Sequence, residues 1–288
     1  MADKNVGLVL EGGGMRGAYT SGVLDAFMDS NIKFPYVIGV SAGASNGANF
    51  VAEQRERNRK VFVEHVKDKE FSGFRHWLKD RSYFNMNYLY DSLPNKVVPF
   101  DYETFKKSET IFKACATSCK TGKAVYFEKN DFDPVEYMEV VLRASSSLPI
   151  ISPPVEINGE FYYDGGISDS IPINKSIEDG NQYNVVVLTR NKGYRKEPQR
   201  INFAIKRLSR KYPKVVEAIK TRHIRYNSAL NKIQELEKKG KVFVLRPVKK
   251  FDVDRLERDI SKLDALYMQG YNETMAKIDD LKKWLENI

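Results

Sequence analysis

The stretch GVSAG, residues 39–43, holds Ser41 between Gly39 and Gly43. It matches G-x-S-x-G. A strand-like run precedes it, and a small-residue segment that reads as a helix comes after. A serine nucleophile needs a sharp strand-to-helix turn, so that its hydroxyl projects from the end of a sheet. Glycine at both flanks leaves room for the backbone to approach itself. A helix starting at Ala42 would aim its first amides, and the positive end of its dipole, at the serine oxygen. The plainer reading is a tight turn with a serine N-cap.

Upstream, in LVLEGGGMRG, Gly12, Gly14 and Gly17 fall at G-x-G-x-x-G after an apolar run. That spacing can cradle a dinucleotide pyrophosphate. A dinucleotide site also wants an acidic residue at the end of the second strand. Here that strand ends in Val40-Ser41, and Asp25 and Asp29 fall inside the first helix. No cofactor is therefore expected. The alternative anion is a transient one. When a serine attacks an ester carbonyl, backbone donors stabilise the developing oxyanion, and losing one costs about 10²–10³ in rate. Gly12, Gly13 and Gly14 offer consecutive amides without side chains. Arg16 either adds charge to this loop, pins it, or is a surface arginine.

The third motif is Asp164-Gly165-Gly166, at the end of EFYYDGG. A serine nucleophile needs a base. Of the three histidines, His65 and His76 sit in a charged, aromatic stretch, and His223 lies in the basic helix KTRHIR. None stands at a strand end. Asp164 is better placed, and a desolvated carboxylate touching the serine can take its proton. The plain reading of DGG is a turn.

GGGMRG, GVSAG and DGG, in that order and each ending an expected strand, resemble the patatin-like phospholipase family, and look closest to its intracellular bacterial members. The resemblance covers about residues 6–173. It implies a three-layer α/β/α sandwich, with Ser41 as nucleophile, Asp164 as base and Gly12, Gly13 and Gly14 as the oxyanion hole. It further implies hydrolysis of acyl esters of phospholipids or lysophospholipids through an acyl-enzyme, without a metal. ASSSLPIISPP is similar to the Ser/Pro segment that precedes the family's aspartate. Beyond about Thr189 no motif of the family is matched.

These groups need a frame. VGLVLEGG and YVIGVS read as buried strands, each leading into a helical stretch, which implies parallel strands with crossovers. IFKACATS and KAVYFEK read as two further strands. EINGEFYYDGG reads as a hairpin turning at Asn158-Gly159. VVVLTR and VFVLRP complete the set. One α/β domain is expected over residues 1–288: a core of about 6–190 with a mostly parallel sheet, an aromatic-rich helical insertion of about 55–110, and a basic helical part of about 191–288. Two fates are open to the insertion aromatics Phe71, Phe74, Trp77, Tyr83 and Phe84. They line an acyl-chain groove, or they pack a small core of their own.

The chain has 288 residues, 42% hydrophobic and 12% aromatic, enough for a sizeable core. Its mean hydropathy is −0.49. No stretch reaches the ~20 apolar residues of a membrane span, and the first residues lack a signal-peptide pattern. A cytoplasmic location is expected. Cys115 and Cys119 fall on one strand, ~13 Å apart at ~3.3 Å per residue, too far for a disulfide; they read as buried thiols. The net charge is +9, with basic residues crowded between Arg190 and Lys250. That region reads as a solvated face, or as a surface for an anionic partner. Without a recognition-helix or zinc-finger signature, an anionic membrane is favoured over nucleic acid, giving peripheral contact at the inner membrane face. Two other functions compete: an acyltransferase or thioesterase using the same pair, and a non-catalytic anionic-lipid-binding protein.

Overall fold

The computed structural model describes residues 5–73, 75, 76, 78 and 82–288. Its frame is an eight-stranded sheet. Strands β1 (Val6–Leu10), β2 (Tyr36–Val40), β3 (Ile111–Ser118), β7 (Tyr183–Val187) and β8 (Val242–Leu245) run parallel, in the order β3-β2-β1-β7-β8. Strands β4 (Ala124–Glu128), β5 (Val155–Ile157) and β6 (Glu160–Asp164) are antiparallel additions. Continuous apolar runs such as VGLVL suit strands covered on both faces. The hairpin β5–β6 turns at Asn158 (φ 50°) and Gly159 (φ 78°), the left-handed pair that a two-residue turn requires.

The pleat divides the core. Leu8, Leu10, Val37, Val185 and Val187 face helices α1 (Gly17–Asp29), α2 (Ala42–Val51) and α7 (Ile260–Met275). The alternate residues Val9, Ile38, Val186 and Val244 face α6 (Pro213–Lys238) and α4 (Ile173–Glu178). Three further helices are α3 (Tyr102–Lys107), α5 (Phe203–Leu208) and α8 (Ile278–Glu286). The result is a three-layer α/β/α sandwich. Residues Pro134 to Ser146 form three abutting helical segments that end before the prolines. Among the described residues no helix is long and apolar enough to cross a membrane.

One register brings the candidate residues together. β4 covers one edge of β3 from Lys113 to Thr117. The other edge is shared. β2 occupies it from Ile111 to Cys115, and β6 takes it over from Ala116 to Ser118. Val40, the last residue of β2, pairs with Cys115, and Asp164, the last of β6, pairs with Ala116. Two strands approaching from opposite directions thus end at adjacent rungs of a third.

Candidate active site

Ser41 makes the turn from β2 to α2 alone, with φ 55° and ψ −125°. A residue with a side chain held there costs about 1–3 kcal/mol, and such strain gathers at functional sites. The neighbours enforce it. A Cβ on Gly43 would stand 2.6 Å from the Leu10 carbonyl oxygen, so α2 lies against β1 with no room for alanine. The Ser41 N–H donates to Ser145 Oγ (2.9 Å), whose hydroxyl donates to the Cys115 carbonyl (2.6 Å). Ser145 therefore ties the turn to β3. Sequence reasoning missed it; its only signal was a place in the ASSSL run.

Asp164 is 2% exposed. Its own N–H donates to the Ser147 carbonyl (2.7 Å), and its Oδ1 accepts the Gly166 N–H (2.7 Å). The Ser41 hydroxyl lies near its carboxylate. Burial raises the Asp164 pKa above the usual carboxylate range; the Ser41 hydroxyl, the Arg222 charge, the Gly166 N–H and the Arg255 charge pull the other way. A Cβ on Gly165 would stand 2.2 Å from the Cys115 carbonyl oxygen, which is why a glycine must come after the aspartate.

The glycine loop after β1 lies beside this pair. A Cβ on Gly12 would stand 2.9 Å from the Val40 carbonyl oxygen and 3.4 Å from the Ser41 Cβ. Three loop donors were expected; the structure spends one. The Gly12 N–H donates to the Ser170 carbonyl (3.2 Å), and the Met15 N–H to the Arg255 carbonyl (3.2 Å). Among the described residues the Gly13 and Gly14 amides meet no partner. Arg16 is not a surface arginine. It is 6% exposed and its Nε has no partner; burial, with the charges of Arg190 and Arg255, lowers its pKa. Gly17 opens α1, and its carbonyl accepts from Asn46 Nδ2 (2.9 Å). Gly39 is the penultimate residue of β2.

The histidines are engaged elsewhere: His65 Nδ1 with Asp68 (2.7 Å), His76 Nε2 with the Lys69 carbonyl and His223 Nδ1 with the Lys220 carbonyl (3.1 Å each). Both cysteines are buried free thiols.

Ser41 opens into a cavity of about 120 Å³ walled by Phe62, Phe71, Phe84, Met86, Leu93 and Met138, among others. Its lining is mostly apolar, with few convergent polar groups, as ligand pockets are. Phe71 and Phe84 thus reach it. Tyr83 instead stacks edge-on against Phe84, ring centroids 5.4 Å apart. Phe74 and Trp77 lie outside the described residues.

The family model for patatin-like phospholipases matches residues 8–176. A second, for a domain of unknown function (DUF6363), matches residues 212–286. The uncharacterized protein YjjU of Escherichia coli is 30% identical over 195 residues, 64% of this chain and 52% of that one. The probable lipid hydrolase 463L of Invertebrate iridescent virus 6 is 28% identical over 62% of this chain and 65% of its own. Lysophospholipase nte1 of Aspergillus terreus is 27% identical over 60% of this chain but only 11% of its own length. The chain therefore spans less than two thirds of each. VipD from Legionella pneumophila superposes over 97% of this chain and 67% of that one, at 13% identity and a TM-score of 0.46. With the first family model covering more than half of its residues, the chain belongs to the patatin-like phospholipase family.

Proposed function

We propose that this chain is a serine lipid acyl hydrolase that cleaves carboxylic esters of phospholipids or lysophospholipids. Ser41 is the nucleophile. Asp164 accepts its proton as the hydroxyl attacks the ester carbonyl. The Gly13 and Gly14 amides, with the first amides of α2, receive the oxyanion. Asp164 hands that proton to the departing alcohol or lysolipid, then takes a proton from the water that attacks the acyl-enzyme and returns it to Ser41 as the fatty acid is released. The acyl chain occupies the apolar cavity. The observation carrying this reading is the Ser41 hydroxyl near a buried carboxylate and in the lining of that cavity, with His65, His76 and His223 bonded elsewhere. The names of the relatives, lysophospholipase and lipid hydrolase, support it.

The test is labelling with a fluorophosphonate probe, together with hydrolysis of a neutral p-nitrophenyl ester. Wild-type protein should be labelled, and Ser41→Ala should neither label nor hydrolyse while keeping its circular dichroism. A protein with His65, His76 and His223 all replaced by glutamine should still turn over the ester. Loss of turnover in that folded variant would overturn the two-residue mechanism. A wild-type serine inert to the probe would leave a lipid-binding protein. Formation of a new ester with an added alcohol acceptor would mark an acyltransferase.

A further inference from the structure

Lys196, Arg222 and Arg255 converge on a second, larger cavity, of about 520 Å³, a size typical of ligand sites. Arg255 also lines the apolar cavity that holds Ser41, so the two share a wall. Arg222 rises from α6 against the third motif. Its Nη2 is 3.1 Å from where a Cβ on Gly166 would stand, and the Gly166 N–H is the one that holds Asp164. Both Nε and Nη2 of Arg222 reach only the neutral Ser170 hydroxyl (3.3 Å each). The Lys196 ammonium lies 4.6 Å from the centre of the Tyr226 ring.

These cations touch no carboxylate among the described residues; Asp164 and Glu11 act on them only at longer range. Among the described residues neither Arg16, Lys196, Arg222 nor Arg255 forms an ion pair. Glu11, the buried acid nearby, is occupied by the Tyr226 hydroxyl (2.7 Å) and the Thr189 N–H (2.6 Å). Glu197 also lines the cavity, but it is exposed to solvent. Burial, with the neighbouring charges of Arg222 and Arg255, pushes the Lys196 pKa down to about 7. Crowded cations held partly out of water with no carboxylate in direct contact are costly by themselves. An anion with several acceptor oxygens would satisfy them, and arginine forks suit phosphate.

We infer that this cavity binds the phosphate of the lipid head group, with Lys196, Arg222 and Arg255 as its ligands, and so selects phosphate-bearing esters over neutral glycerides. The inference rests on the hydrolase reading for its purpose, but binding can be measured without catalysis. The experiment compares lysophosphatidic acid with monoacylglycerol of the same acyl chain, below their micellar concentrations, on the Ser41→Ala protein by calorimetry. Lysophosphatidic acid should bind at least tenfold tighter, and the advantage should shrink with rising salt. Adding Lys196→Gln or Arg222→Gln should remove most of it; having two variants guards against one misfolding. In the active protein, Lys196→Gln should lower the ratio of kcat/KM for the two esters about tenfold. Equal binding of the two lipids overturns the inference. Inorganic phosphate binding as tightly as the lipid, and alongside it, would mark a free-phosphate site and also overturn it. A wild-type protein that hydrolyses neither ester yet keeps the binding preference would sink the hydrolase reading and leave this one standing.

Discussion

Gly22 and Gly270 lie backbone to backbone where α1 crosses α7. A Cβ on Gly22 would stand 2.0 Å from the Tyr267 carbonyl oxygen, and one on Gly270 would stand 2.1 Å from that of Tyr19. The same crossing carries the buried Asp25, which accepts from the Tyr267 hydroxyl (2.8 Å). Gly22→Ala and Gly270→Ala should each destabilise the fold by about 3 kcal/mol, the upper end for forced overpacking. The double variant should cost less than the sum, because the first methyl already pries the helices apart. Urea unfolding of the four proteins checks both claims.

Asp164→Asn keeps an oxygen for the Gly166 N–H but removes the proposed proton acceptor. Hydrolysis of a p-nitrophenyl ester should fall by about 10²–10⁴, the usual range for a lost general base, with little change in KM. Labelling of Ser41 by a fluorophosphonate should slow in parallel. Labelling at the wild-type rate would place the base elsewhere.

As the proposed base, Asp164 must be ionised to act, and burial raises its pKa. The acidic limb of kcat/KM should therefore lie above the usual carboxylate range, with activity lost as pH falls through it. Arg222 favours the charged carboxylate, so Arg222→Gln should move the limb to higher pH. A pH–rate profile of both proteins on a neutral ester reads the direction. A limb that stays put would mean that the limb belongs to another group.

Asp179 makes the opposite case. Burial opposes its charge, but hydrogen bonds from Lys113 (2.8 Å), Lys175 and Tyr36 (2.7 Å) win and lower its pKa to about 2. A depressed acid stabilises the fold above its unfolded value of ~3.9, and the gain is lost as pH falls toward 2. Asp179→Asn should cost roughly 1–2 kcal/mol at pH 7, allowing for partial screening by water. The difference should vanish near pH 2. Thermal unfolding at both pH values measures it.

The parts of the site that obey local rules were legible. G-x-S-x-G between a β-branched run and small residues specifies its own turn, because Gly43 and Leu10 leave no alternative packing. Asn158-Gly159 announced the hairpin that delivers Asp164. What was hidden depends on distant partners. No pattern in EFYYD says that β6 will continue along the edge that β2 leaves. The Gly12 amide looked free until Ser170 took it. Lys196 and Arg222 sat in a basic stretch that reads as a solvated face, and Arg255 lies just beyond it. Only the tertiary fold turns them inward, since nothing in the spacing of KTRHIR marks one arginine from another.

The Met15 N–H held by the Arg255 carbonyl has a wider consequence. The two regions matched by separate family models behave as interlocking parts of one device. The later one supplies the roof of the glycine turn, the strand β8 that extends the sheet beyond β7, and the guanidinium beside the DGG turn. A recombination event that carried only residues 8–176 into a new gene would transmit the recognisable signature and leave behind what finishes the site.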